Sequence, residues 1–238
     1  MMGQTLITLN FKKKHMNILK TILKDGYLVF DVGCNIGEKA NYYLQLNTKV
    51  VGFEPQPKCV NALLKRFKDN DNIVIEPIGL DKEKGVSVIY EASHDTISSM
   101  SLDFINTVKK ERFSGYNWGE KIDINIDTLD NMILKHGKPN YIKIDVEGYE
   151  LNVLQGLTTP IDIISVEFTP ELCQSSVDCV NYIESINGEC VYNYGYREDL
   201  DFKFDTWLNK QDLVSYIESV KDFSFEFGDI YVKIKDKK

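Results

Sequence analysis

The sequence predicts an α/β fold in which a mostly parallel β-sheet is covered by helices on both faces. Short apolar segments rich in β-branched residues alternate along the chain with segments whose apolar residues recur at helical spacing, which is typical of parallel sheets. A turn with two glycines, at residues 33–37, follows the first predicted strand, and Glu54 follows the second. Because parallel strands end at the same edge of a sheet, this pattern predicts a ligand site at that edge.

The first part of the chain contains four predicted strands and two predicted helices. The strands cover residues 27–32, 49–53, 73–78 and 85–90. The first helix covers residues 38–46, and the second begins at Pro57, a residue type favoured in the first turn of a helix. The apolar residues of this second helix lie at positions i, i+3, i+4 and i+7 and are Val60, Leu63, Leu64 and Phe67. They predict one apolar helix face that packs on the sheet.

Two polar stretches interrupt the regular pattern in the rest of the chain. Residues 91–121 and 197–228 are long for simple connections, so both are predicted to be lids or substrate-binding insertions, with a helix possible over residues 102–112. The remaining strands are predicted at residues 122–127, 141–145, 162–168, 189–194 and 229–234. The remaining helices are predicted at residues 129–135, 151–156 and 176–186. The last two strands are expected to pair antiparallel at one edge of the sheet.

Length and composition favour a single domain at residues 27–238, preceded by a helical cap at residues 1–26. The 238 residues, of which 43% are hydrophobic, are enough for one α/β domain with a sizeable core. The net charge of -8 argues against general nucleic-acid binding, which depends on Lys and Arg neutralising phosphates. Five cysteines without metal-ligand spacing indicate a reducing compartment. With no signal-peptide pattern and no membrane span, we expect a soluble, cytoplasmic protein.

The glycine turn favours a nucleoside cofactor that has no pyrophosphate. Glycines let the backbone approach a ligand closely, but Asn35 occupies the position where a dinucleotide site has its middle glycine. The spacing also differs from that of a phosphate-binding loop. S-adenosylmethionine, with its adenosine and charged amino-acid tail, meets these constraints. Glu54 is placed to accept hydrogen bonds from both ribose hydroxyls.

Further residues near the predicted edge of the sheet are candidates for the cofactor site. Asp31 lies beside the turn, and Gly79 and Leu80 follow the third strand, where they could border the adenine. The complete set of predicted cofactor contacts is Asp31, Gly33, Asn35, Gly37, Glu54, Gly79, Leu80 and Asp145.

The segment at residues 141–150 combines a predicted strand with unusual charges. Strand alternation places Tyr141, Lys143 and Asp145 on one face. Charges in a strand covered by helices are costly unless they are paired or reach a cleft, so Lys143 and Asp145 are expected either at the cleft or in an internal ion pair. Glu147 and Glu150 lie near a helix start, where the helix dipole also explains them.

Several ordered motifs in the chain resemble those of the FkbM-type methyltransferases. They are F-D-V-G-C-N-I-G at residues 30–37, F-E-P at 53–55, S-S at 98–99, T-L-D at 128–130 and K-I-D-V-E-G-Y-E at 143–150. The likeness covers residues 27–168, and Cys34 stands where the family more often has alanine. The resemblance implies a seven-stranded, Rossmann-like class I methyltransferase fold. It also implies that S-adenosylmethionine binds at Gly33, Gly37 and Glu54, and that the methyl group is transferred to a hydroxyl of a sugar or other natural product.

Methyl transfer to a hydroxyl calls for a base or a metal, because an alcohol is a weak acid. We expect Asp145 to be the base or to orient it, with Lys143, Glu147 and His94 as secondary candidates. His94 belongs to the first polar insertion. A divalent ion held by Asp145 and Glu167 is conceivable, but residue spacing does not support it, and no metal site is predicted.

Three hypotheses for the function remain at this point. The first is an S-adenosylmethionine-dependent O-methyltransferase acting on a small-molecule or glycan hydroxyl. The second is a nicotinamide-dependent oxidoreductase, because the strand, turn and acidic strand end are shared with such enzymes. The third is a noncatalytic methyltransferase-like binding module, because Lys143, Asp145 and Glu147 could be structural. The sequence identifies neither the acceptor nor the oligomeric state.

Overall fold

A computed structural model describes residues 16–196, 201–223 and 226–235 of the chain. Within these residues the strands are β1 (Leu28–Val32), β2 (Lys49–Phe53), β3 (Ile73–Glu76), β4 (Gly79–Leu80), β5 (Gly85–Ala92), β6 (Trp118–Asp127), β7 (Tyr141–Ile144), β8 (Ile163–Phe168), β9 (Cys190–Tyr196) and β10 (Gly228–Ile234). The α-helices are α1 (Met16–Ile22), α2 (Glu38–Leu44), α3 (Pro57–Arg66), α4 (Leu102–Val108), α5 (Leu129–His136), α6 (Glu150–Leu154), α7 (Cys173–Asn187) and α8 (Lys210–Val220).

Seven of the strands form the main sheet, in the order β3-β2-β1-β7-β8-β10-β9. The pairs among β3, β2, β1, β7 and β8 are parallel, and β10 is antiparallel to both β8 and β9. The predicted fold class, a mostly parallel seven-stranded sheet whose closing strands pair antiparallel, is therefore confirmed. The carboxyl ends of β1, β2, β7 and β8 lie along one edge, where open α/β sheets bind ligands.

Helices cover both faces of this sheet, and alternate residues of each strand supply the two apolar layers. Phe30 and Val32 of β1 belong to the larger apolar cluster, which also contains residues of α5 to α8, whereas Val29 belongs to a second cluster with residues of α1 and α2. All three β1 side chains are fully buried or nearly so. This separation follows from the two-residue period of a strand.

The N-terminal helix α1 lies within the predicted cap. Ile18, Leu19 and Ile22 are buried and pack with Tyr43 of α2 and Tyr231 of β10. Residues 1–15 of the predicted cap lie outside the described residues, as do residues 197–200 and 224–225 of the second predicted insertion. Among the helices that the structure describes, none combines the length and apolar character needed to cross a bilayer.

The two predicted insertions contain more regular structure than expected. Strand β5 continues to Ala92 and β6 begins at Trp118, and they pair antiparallel in a small sheet with β4. The first half of β6 is mostly solvent-exposed. Its residues are therefore polar, and the sequence pattern did not indicate a strand there. The second insertion contains helix α8, whose buried Leu213 and Ile217 are four residues apart. No strong helix was expected there, because the surrounding residues are polar.

Candidate active site

A cavity of about 600 Å³ opens at the carboxyl edge of the main sheet, within the size range of small-molecule sites. Its wall is formed by the glycine turn after β1, the end of β2, residues 78–80, the insertion between β5 and β6, and the turn after β7. The predicted site residues in this wall are Asp31, Gly33, Asn35, Glu54, Gly79, Leu80, His94, Lys143, Asp145 and Glu147. The fold thus brings together residues that lie far apart in the sequence.

The glycine turn has backbone geometry that only some residue types adopt easily. Gly33 has φ of 79° and Asn35 has φ of 48°, both in the left-handed region that favours Gly and Asn. The amides of Gly33 and Cys34 donate to the carbonyl oxygen of Phe53, at 3.0 and 3.1 Å. A Cβ at position 33 would overlap the carbonyl oxygen of Asp145. Gly33 therefore allows β1 and the end of β7 to meet closely at the cavity wall.

The backbone conformation and close packing of Gly37 explain why glycine occurs at this position. It is the N-cap of α2, with φ of 79°, and it is not part of the cavity wall. A Cβ at this position would come within 2.8 Å of the side chains of both Phe67 and Leu63. Glycine is therefore needed here for the packing of α2 against α3, and the predicted contact of Gly37 with a cofactor stays a prediction.

Glu54 lies at the end of β2 with its carboxylate fixed by the backbone. Its Oε2 accepts a hydrogen bond from the amide of Asn35, and its Oε1 accepts one from the amide of Gln56, each at 2.9 Å. Each of the two carboxylate oxygens therefore accepts a hydrogen bond from a backbone amide. The carboxylate is thus oriented at the cavity wall.

Asp31 is a buried carboxylate at the base of the same cavity. The residue is 2% exposed, and its Oδ2 has no hydrogen-bond partner among the described residues. Burial raises the pKa of Asp31 to about 7, although the positive charge of Lys143 opposes the increase. A buried carboxylate without a partner favours a cationic or hydrogen-bond-donating ligand.

Lys143 is held in a buried ion-pair network. Its Nζ lies 3.0 Å from Oδ2 of Asp145 and 2.6 Å from Oδ1 of Asp229. Burial opposes the charged form, but the two carboxylates outweigh this effect and keep the pKa of Lys143 well above its usual value. These two ion pairs place the Lys143 ammonium directly against the carboxylate of Asp145, and the candidacy of Lys143 as a base stays a prediction. The part played by Asp229 of β10 was not anticipated from the sequence.

Three hydrogen bonds between side chains and the backbone hold the turn that follows β7. Glu147 has φ of 55°, and its carbonyl oxygen accepts a 2.7 Å hydrogen bond from the hydroxyl of Ser99. Oε1 of Glu150 accepts from the amides of Val146 and Gly148, at 3.1 Å each. Burial raises the pKa of Glu150 to about 7 despite these backbone donors. The motif around Ser99 therefore holds the turn that carries Glu147.

Three carboxylates converge beside this turn, although residue spacing predicts no metal site. One oxygen from each of Asp145, Glu147 and Glu167 lies within 4.8 Å of the other two. Burial raises the pKa values of Glu147 and Glu167 well above their usual range, and the neighbouring carboxylates add to the effect. The adjacent, parallel strands β7 and β8 produce this group, so it becomes visible only in the folded chain.

The outer part of the cavity is lined by residues of the two insertions. The guanidinium of Arg112 lies 4.8 Å from the ring centroid of Phe113 and 5.0 Å from that of Phe227. Its Nε lies 3.4 Å from a carboxylate oxygen of Glu171. His94 is exposed, and its Nδ1 is 2.8 Å from the hydroxyl of Thr96. Apart from His94, these residues were not predicted, because single aromatic and basic residues in a polar stretch carry no distinctive pattern.

Residues 31–198 of the chain match the model of the methyltransferase FkbM domain family. Two characterised relatives are similar to the chain. One is the 2-O-methyltransferase NoeI of Sinorhizobium fredii, 24% identical over 60% of this chain and 63% of the relative. The other is the hexuronic acid methyltransferase AglP of Haloferax volcanii, 26% identical over 68% of this chain and 63% of the relative. The chain thus spans less than two thirds of the length of each relative.

A solved structure supports the same fold. It is the methyltransferase FkbM from Methylobacillus flagellatus KT, which matches with a TM-score of 0.52 and 19% sequence identity. The match covers 76% of this chain and 43% of that chain. At this identity the similarity concerns the fold of the main sheet and its helices.

Proposed function

Because this chain belongs to the methyltransferase FkbM domain family, we propose that it is an S-adenosylmethionine-dependent O-methyltransferase that acts on a hydroxyl of a saccharide or a related natural product. The observation that carries the proposal is a single cavity with two distinct carboxylates. Glu54 is fixed by backbone amides, and Asp31 is buried without a hydrogen-bond partner among the described residues. The names of the two relatives, a 2-O-methyltransferase and a hexuronic acid methyltransferase, support a saccharide as the acceptor.

The residues present fit S-adenosylmethionine. Glu54, whose carboxylate is oriented by the amides of Asn35 and Gln56, would accept hydrogen bonds from the ribose hydroxyls. Gly79 and Leu80 supply a narrow, apolar wall for the adenine. The buried carboxylate of Asp31 would receive the positive charge of the ammonium group, directly or through water. That match would also relieve the cost of an unpartnered buried carboxylate.

The glycine turn favours this cofactor over a nicotinamide dinucleotide. Asn35 occupies the place of the middle glycine, and its Oδ1 accepts a 2.8 Å hydrogen bond from the amide of Ile36. This side chain therefore stabilises the turn in the space that a pyrophosphate would need. The oxidoreductase hypothesis has no comparable support from the cavity. Measured methyl transfer to an acceptor would exclude the hypothesis of a noncatalytic module.

The protein would contribute mainly alignment and proton transfer. S-adenosylmethionine supplies, when bound, a methyl group on a positively charged sulfur that departs as a neutral thioether. Asp145 would accept the proton of the acceptor hydroxyl, and Lys143 holds Oδ2 of Asp145 at 3.0 Å. Lys143 is itself held by Asp229. Such positioning of reactants can supply roughly 7 to 11 kcal/mol of the barrier.

Calorimetric titration with S-adenosylhomocysteine tests the cofactor proposal. Wild-type protein is expected to bind one molecule per chain, and Glu54→Ala is expected to lose most of that affinity because the ribose acceptor is removed. The exposed Glu83→Ala is a matched control that should bind as the wild type does. Equal affinity of Glu54→Ala and wild type would contradict the ribose assignment.

Transfer of a labelled methyl group to a panel of saccharides tests the reaction. Product is expected with a hydroxyl-bearing saccharide and with intact Asp145. Saturable binding of NADH without binding of S-adenosylmethionine would instead favour the oxidoreductase. Cofactor binding with no transfer to any acceptor would favour the noncatalytic module.

A further inference from the structure

The three carboxylates beside the β7 turn form a compact oxygen-lined group at one side of the cavity. Asp145 and Glu147 come from the turn that follows β7, and Glu167 comes from β8, the adjacent parallel strand. All three residues line the cavity and can therefore be reached from it. The group therefore combines one residue of a strand with two residues of the turn that follows the neighbouring strand.

The separation of the oxygens fits a single hard cation. Magnesium binds oxygen ligands at about 2.0 to 2.1 Å and calcium at about 2.3 to 2.6 Å, so ligands on opposite sides of one ion are about 4 to 5 Å apart. The three oxygens lie within 4.8 Å of one another and can share one coordination sphere. Carboxylate oxygens favour magnesium, manganese or calcium over softer metals.

A second observation concerns the charges of these side chains. Oε2 of Glu167 is buried and has no hydrogen-bond partner among the described residues. Lys143 is shared between Asp145 and Asp229, and the Nε of Arg112 lies 3.4 Å from Glu171, so neither basic group is given wholly to the three carboxylates. Glu167 thus combines a buried oxygen that has no partner in the described part of the chain with two neighbouring carboxylates, an arrangement that a bound cation would stabilise.

The turn that carries two of the three ligands is already held in place. The hydroxyl of Ser99 bonds the carbonyl oxygen of Glu147, and Glu150 accepts hydrogen bonds from the amides on either side of Glu147. A Cβ at Gly148 would come within 2.9 Å of the ring of Phe104, so the turn packs closely against α4. Little reorganisation is therefore needed for Glu147 to act as a ligand.

We propose that Asp145, Glu147 and Glu167 form a binding site for one divalent cation, magnesium or manganese, with coordination positions left open towards the cavity. An ion held there would orient an acceptor hydroxyl and lower its pKa, so that a carboxylate as weakly basic as Asp145 suffices to take the proton with the oxygen that does not bind the ion. This role in catalysis rests on the proposed methyl transfer, whereas binding of the ion does not.

Titration with Mn²⁺, followed by electron paramagnetic resonance of the free ion, tests the site. Wild-type protein is expected to bind one Mn²⁺ per chain, and Mg²⁺ is expected to displace it. Glu167→Gln and Glu147→Gln each remove one charged ligand, so their affinity should fall roughly tenfold or more. Glu189→Gln, which changes a solvent-exposed carboxylate paired with Lys235, is the matched control and should bind as the wild type does.

The outcomes distinguish the metal site from the proposed function. Absence of Mn²⁺ binding by the wild type, or unchanged affinity in Glu167→Gln, would overturn the site. Near-ultraviolet circular dichroism shows whether each variant is folded. If Glu167→Gln does not fold, the Mn²⁺ affinity of Glu147→Gln is compared with that of the wild type instead, and unchanged affinity would overturn the site. Titration of the same samples with S-adenosylhomocysteine reports on the cofactor site separately. Cofactor binding without Mn²⁺ binding therefore refutes the metal site alone.

Discussion

The backbone of Gly33 lies against the carbonyl oxygen of Asp145, so closely that a side chain at position 33 would occupy the same space. The contact joins the turn after β1 to the end of β7, two strands that pair in parallel at the centre of the main sheet. Glu54, Asp31 and Asp145 all line the cavity beside this junction. The absence of a side chain at position 33 therefore lets the ends of β1 and β7 come close together at the cavity wall.

Replacement of Gly33 should destabilise the fold more than replacement of another glycine with the same backbone conformation. Gly33 and Gly26 have φ of 79° and 78°, but a Cβ at Gly26 would have nothing within 4 Å. Gly26→Ala is expected to cost about 1 to 2 kcal/mol from backbone strain alone. Gly33→Ala adds the overlap with Asp145 and should reach about 4 kcal/mol. Urea unfolding measures both variants, and equal losses would contradict the importance of the contact.

Removal of the Lys143 charge should destabilise the fold far more than removal of the charge of a partly exposed lysine. Lys143→Met leaves Asp145 and the buried Asp229 without their shared cation, and the expected loss is about 3 to 5 kcal/mol. Lys210→Met breaks a partly exposed pair with Glu184 of similar length and should cost about 0 to 1 kcal/mol. The free energies of unfolding in urea provide the comparison. Similar losses in both variants would show that the buried network is weak.

Loss of the Asp145 charge should impair turnover while cofactor binding persists. Asp145→Asn keeps the shape of the side chain but removes the proton acceptor, so kcat is expected to fall by roughly 10² to 10⁴. Its affinity for S-adenosylhomocysteine should fall less than that of Glu54→Ala. Methyl transfer to a saccharide that the wild type modifies provides the measurement. Full turnover by Asp145→Asn would exclude Asp145 as the base.

Stability of the ligand-free protein should decrease as the pH rises from about 4 to about 7, partly because of Asp31. Its pKa is about 7 in the folded chain and about 3.9 when unfolded. Between these values the folded chain binds a proton that the unfolded chain has released, so the free energy of unfolding falls with pH and then levels off above about 7. The charged groups that act on Asp31 are Lys143, Asp145, Lys39 and Glu54.

The variant Asp31→Asn tests this pH dependence. It lacks the titrating group, so its stability should decline less over the same pH range than that of the wild type. Glu150, whose pKa is also raised to about 7, leaves part of the decline in place. Urea midpoints measured across the range provide the comparison. An identical decline in both proteins would show that Asp31 is ionised in the folded state at low pH.

Local patterns in the sequence predicted the strands of the main sheet well. The bounds of β2 match the prediction residue for residue, because its buried apolar run is flanked by polar residues. Strand β6 and helix α8 were harder to foresee. The exposed start of β6 has no apolar alternation, and α8 shows only a narrow buried stripe at Leu213 and Ile217. Polar segments of this kind take their structure from the neighbours on which they pack.

The sequence by itself determined the class of fold and the part of the cavity wall that contains the glycine turn and Glu54. The glycine turn and Glu54 follow β1 and β2, which are consecutive in the chain and paired in the sheet. The order of residues along the chain was therefore enough to predict that they lie close together. Only the tertiary structure decided the partners of the charged residues. Lys143 of β7 meets Asp229 of β10 across β8, which lies between these two strands, and Glu167 meets Asp145 and Glu147 because β7 and β8 are adjacent in the sheet. Contacts across strands depend on sheet order and register, which residue spacing does not encode.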